Sequence, residues 1–176
     1  MKAVVWFAGL GLVLLLAQGA ASWLPETLRP DPLLVFALAM GLRGSSVSSL
    51  LMACAAGVAV DVWSGSPVGL FALLRTSACV ATRAFDGALY LRAGLPWTFF
   101  VAVYSVFDAL LMVLCLQWFV GDASLAWGPF LLRLPGAALA TGLIAAPVLW
   151  VYRRIDVDAG RESSWGFIAS GTRARP

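Results

Sequence analysis

The stretch DVWSGSPVGLFALLR, Asp61 to Arg75, opens on an acid and closes on a base around a Trp-Ser-Gly-Ser-Pro turn. Residues 50–60 before it are all apolar, Ala, Cys or Gly, and Ala78 to Ala81 shortly after Arg75 are again Ala, Cys or Val. An acid at the end of such a run lies at or near membrane depth, so its partner is part of the fold problem. Pro67 suits the first position of a helix, with Ser66 as its cap. The stretch therefore reads as the turn of a helical hairpin, and the question is what Asp61 and Arg75 do there.

The rest of the 176-residue chain answers the environment. It is 61% hydrophobic and 12% charged, with mean hydropathy +0.91. A soluble domain would carry roughly a quarter charged residues. The composition predicts an all-α integral membrane protein, a bundle of about six transmembrane helices. The expected segments are Val4–Trp23, Leu33–Leu42, Val47–Trp63, Pro67 to about Leu91, Trp97–Val120 and Phe130–Tyr152. The first is read as an uncleaved span, because its 20-residue apolar run exceeds an ordinary signal-peptide core. The second has ten residues, about 15 Å of helix, and is expected to be short, tilted or re-entrant. Pro25, Pro30 and Pro32 isolate it from the first. Ala53 and Gly57, four apart, would let the third helix approach a neighbour closely. Gly136, Ala140, Gly142 and Ala146 give the sixth a small-residue face, and Pro135 and Pro147 are expected to bend it. Two parts follow: a helical domain over 1–155 and a disordered cytoplasmic tail over 156–176.

Orientation comes from the basic residues. Lys2, Arg43, Arg83, Arg92, Arg153, Arg154, Arg161, Arg173 and Arg175 share one side, Arg29 and Arg133 the other, and Arg75 lies within a span. Both termini are expected in the cytoplasm. This scatter between apolar runs speaks against nucleic acid as a partner; membrane lipid is the expected surroundings.

Histidine is absent and Lys2 is the only lysine, which removes His-based triads, His-metal sites and a buried Schiff-base lysine. Cys54, Cys79 and Cys115 sit in apolar runs at no metal or redox spacing and read as small hydrophobes. No enzyme, cofactor or metal is expected. What remains is charge at membrane depth: Asp61, Arg75 and Asp108. An Asp61–Arg75 pair across the turn is the first expectation, with Asp108 as the alternative partner of Arg75. Asp61 could also accept from the Ser64 or Gly65 amide.

RPDPLLVFALAMGLRG followed by AAGVAVDVWSGSPVGLFAL resembles the MreD family of bacterial rod shape-determining proteins. The matching positions are Pro30, Asp31, Gly57, Asp61, Ser64, Gly65, Pro67, Gly69 and Leu70, within roughly residues 29–75. The family often has histidine after the Gly-Leu pair; Phe71 stands there in this chain. The resemblance implies a non-enzymatic scaffold of the cell-elongation complex in the bacterial inner membrane, coupling the cytoskeleton to peptidoglycan synthesis. Its implied partners are an MreC-like protein and, directly or indirectly, MreB, a SEDS glycosyltransferase and a class B penicillin-binding protein. It also implies a fold similar to the substrate-binding subunits of ECF transporters. A solute-binding subunit of such a transporter is therefore the rival function, and Asp31, Asp61, Ser64, Ser66 and Trp63 would be its sparse polar groups. The candidate structural and interface residues are Asp31, Asp61, Ser64, Gly65, Pro67, Gly69, Arg75 and Asp108.

Overall fold

A computed structural model of the chain describes residues 2–43, 47–89, 94–120 and 127–171. Arg92, Arg173 and Arg175 lie outside the described residues. Six helices follow in order: α1 Lys2–Ala20, α2 Pro32–Gly41, α3 Val47–Ser64, α4 Leu70–Leu89, α5 Gly94–Val120 and α6 Trp127–Gly171. Two short 3-10 turns, Ala21–Trp23 and Glu26–Leu28, join α1 to α2.

Among the described residues three helices are long and apolar enough to cross a membrane: α3, residues 95–118 of α5 and residues 132–155 of α6. The outward face of α5 shows why. Leu95, Phe99, Val103, Phe107, Leu110, Leu114 and Trp118 are exposed and recur every three or four residues. That is one helical stripe, apolar toward the outside, as lipid requires.

α4 is patterned the opposite way from a soluble surface helix. Arg75, Ala78, Cys79 and Thr82 are buried, while Leu73, Val80 and Phe85 are exposed. Its polar stripe faces protein because hydrocarbon offers no hydrogen bonds to a guanidinium or hydroxyl. The Thr82 hydroxyl donates to the Ala78 carbonyl, a helical neighbour that satisfies it without water (3.1 Å).

α2 is short because it is interior. All ten of its residues are buried, and Leu33 to Met40 are at most 2% exposed. It packs against α1, α3, α4, α5 and α6, so its 15 Å or so of length spans the core of the bundle and need not match the bilayer. Asp31 caps it, accepting from the Leu34 amide at 2.9 Å, and Pro32 occupies its first turn. At its other end a Cβ on Gly41 would stand 2.6 Å from the Cys79 carbonyl oxygen, so glycine lets α2 touch the α4 backbone.

The α3–α4 hairpin is closely paired. A Cβ on Gly57 would stand 2.4 Å from Ala72 Cα and from the Phe71 carbonyl oxygen. The small-residue spacing of α3 thus serves the close approach expected of it. α5 and α6 are tied by the buried Trp97 indole N–H, which donates to the Ala145 carbonyl at 3.2 Å.

Two expectations are corrected. α4 begins at Leu70, with neither Pro67 at its first position nor Ser66 as its cap. Gly69 has φ of +100°, outside the right-handed helical region, so the helix cannot include it. The second is the Asp61–Arg75 pair, described next. The expected division at residue 155 falls within α6, whose described helix runs as far as Gly171.

Candidate functional site

Asp61 lies in the last turn of α3 and is 1% exposed. Both of its carboxylate oxygens are filled by the segment that follows. Oδ1 accepts from the Phe71 amide at 2.9 Å and the Ser66 hydroxyl at 3.1 Å. Oδ2 accepts from the Gly69 amide at 2.9 Å and the Ala72 amide at 3.3 Å. These amides sit at the head of α4, where no intrahelical carbonyl is available to them and where the helix dipole favours a negative charge. Asp61 is therefore the cap of α4, supplied from the preceding helix. Ser64 adds a second tie, its hydroxyl meeting the Ser66 hydroxyl at 3.0 Å. Gly65, with φ of +66°, and Gly69 supply the left-handed conformations that let the chain fold back on Asp61. Pro67 lies between them, and its carbonyl accepts from the Leu70 amide at 3.1 Å.

Arg75 does not go to Asp61. It is fully buried, one and a half turns into α4. Its Nη1 donates to Asp108 Oδ2 at 3.1 Å, and its Nη2 donates to Asp31 Oδ2. The guanidinium also stands 5.6 Å from the centre of the Phe71 ring, a cation–π distance. Depth explains the choice. Arg75 lies about 9 Å further from the turn than Asp61 by residue count, and the turn's own donors saturate Asp61. The alternative partner, Asp108, is the one Arg75 meets, together with an acid the sequence reading did not connect to it.

That acid, Asp31, holds three elements at once. One oxygen caps α2, the other meets Arg75 of α4, and its own amide donates to the Thr141 hydroxyl of α6 at 3.2 Å. An Asp-Pro pair ahead of an apolar run reads as an ordinary helix start, and that reading is right. The second role depends on a contact 44 positions away, with no local sign. Asp108 sits near the middle of the α5 span, so the clasp reaches from the head of α2 to mid-membrane. A lone charge there costs about 2.5–3.5 kcal/mol on insertion scales; a bound guanidinium removes much of that cost.

Further polar ties follow the same rule of internal satisfaction. The Arg83 guanidinium donates to the Ser49 hydroxyl, joining α4 to α3. The Ser77 and Tyr104 hydroxyls meet at 3.3 Å between α4 and α5. Among the described residues no group of three or more His, Cys, Asp or Glu could hold a metal.

Fold and site together define the class: a multi-pass α-helical membrane protein whose intramembrane charges are tied to one another and to backbone amides. Residues 1–155 match the family model of rod shape-determining protein MreD, and the chain belongs to that family. No match was found among curated proteins or among solved structures.

Proposed function

We propose that the chain is a non-enzymatic scaffold of the cell-elongation complex in the bacterial inner membrane, with both termini in the cytoplasm. Its partners on this reading are an MreC-like protein and, directly or through it, MreB, a SEDS glycosyltransferase and a class B penicillin-binding protein. The observation that carries the reading, beside the family match, is the α3–α4 turn. Four donors converge on Asp61 beneath it, so the turn has a single shape. On top of it Val62, Trp63 and Val68 are 75%, 65% and 87% exposed. A fixed turn presenting exposed apolar side chains suits recognition by the membrane-proximal segment of a partner on the outer side. Asp31 and Asp61 are spent on backbone amides and Arg75, and Ser64 on Ser66. This favours the scaffold over the transporter-subunit rival, because a solute site needs polar groups that converge on a cavity.

Replacing both Trp63 and Val68 by serine tests it. The double variant should insert and keep its detergent stability, while pull-down of the MreC-like partner falls at least several-fold. Undiminished capture would remove the turn from the partner interface.

A further inference from the structure

The buried clasp does not balance in charge. One guanidinium faces two carboxylates; Arg75 and Asp108 are enclosed and Asp31 is partly so. The side chains of Arg75, Asp108 and Asp31 are 0%, 9% and 27% exposed. The other charged or titratable groups around Asp108 do not supply the missing positive charge. Tyr104 lies one turn earlier on α5, and α2 has no ionisable side chain. On α6 the basic residues Arg133, Arg153 and Arg154 stand at the ends of its apolar span. With both acids ionised, the centre of the bundle would hold a net negative charge in a medium that solvates charge poorly.

The two acids are not equivalent. Asp31, at the positive end of α2, accepts from the Leu34 amide and from Arg75 Nη2 and keeps some access to solvent. Asp108 has a single donor, Arg75 Nη1, on Oδ2. Its Oδ1 is buried without a hydrogen-bond partner, as is Arg75 Nε. We propose that the Asp31–Arg75–Asp108 clasp is a proton-binding site: one proton, taken from water, resides on Asp108 Oδ1 and makes the cluster electrically neutral. Oδ2 remains free to accept from Arg75. A buried hydroxyl lacking a full set of partners costs far less than a buried, uncompensated carboxylate. The inference concerns the clasp alone and does not rest on the scaffold reading.

Infrared spectroscopy of the full chain in lipid nanodiscs tests it at pH 7. The wild type should show the carbonyl stretch of a protonated carboxylic acid, shifted by ¹³C-aspartate labelling. Asp108→Asn should abolish the band and leave the thermal midpoint unchanged, because the amide mimics the neutral acid. Asp31→Asn should abolish it too: with Asp31 neutral, Arg75 and an ionised Asp108 already balance. Lack of the band in the wild type overturns the proposal, as does a band that persists in Asp31→Asn. Those two readings decide even if Asp108→Asn does not fold.

Discussion

Asp61 and Arg75 flank the same turn, yet they solve the problem of buried charge in different ways. Asp61 is satisfied locally, by donors five to eleven positions away in the chain. Arg75 is satisfied at long range, by acids 33 and 44 positions away. The first arrangement fixes the shape of one turn. The second ties α2, α4 and α5 at membrane depth, and through the Asp31 amide it reaches α6. A charge near the end of a span can use the free amides of the next helix. A charge deeper in can reach only other side chains, because the backbone around it is already paired.

The difference predicts unequal losses. Arg75→Ala should have the largest effect, about 3–5 kcal/mol of detergent-solubilised stability, because it strands Asp31 and removes the guanidinium that donates to Asp108. A loss under about 1 kcal/mol, the level of a surface ion pair, would show that the clasp contributes little. Reversible unfolding in mixed micelles measures it.

Asp61→Ala should cost less, about 1–3 kcal/mol, the penalty for buried donors left unmatched. Gly69 and most of the turn are exposed, so water can take over part of the role. Hydrogen exchange should reveal the loss locally: the amides of Gly69, Phe71 and Ala72 should exchange faster while α5 and α6 keep their protection. Faster exchange throughout the bundle would mean that Asp61 also belongs to the global core.

The same contrast separates what was legible in the sequence from what was not. The shortness of the second helix announced itself through its ten-residue run and its flanking prolines, though its interior position did not, and the tight α3–α4 pairing announced itself through Ala53 and Gly57. Asp61 and Arg75 stood out because charge in an apolar run is conspicuous. Their partners did not, since a hydrogen bond between Arg75 and Asp31 is a property of how α2 and α4 pack. The start of α4 was misread because Pro67 and Ser66 carry a strong local start signal. The φ of Gly69 and the cap supplied by Asp61 overrule it. Local preference yielded to a tertiary contact, as weak propensities do.

The central claim is that Arg75 belongs to Asp31 and Asp108, and Asp61 to the head of α4. Two double-mutant cycles test it most directly, both built on Arg75→Met, one with Asp31→Asn and one with Asp61→Asn. The account predicts strong coupling in the first, with the double variant losing at least about 1 kcal/mol less than the two single losses combined. In the second the losses should add to within about 0.5 kcal/mol. Additivity with Asp31 together with coupling to Asp61 would contradict the account and restore the pair across the turn.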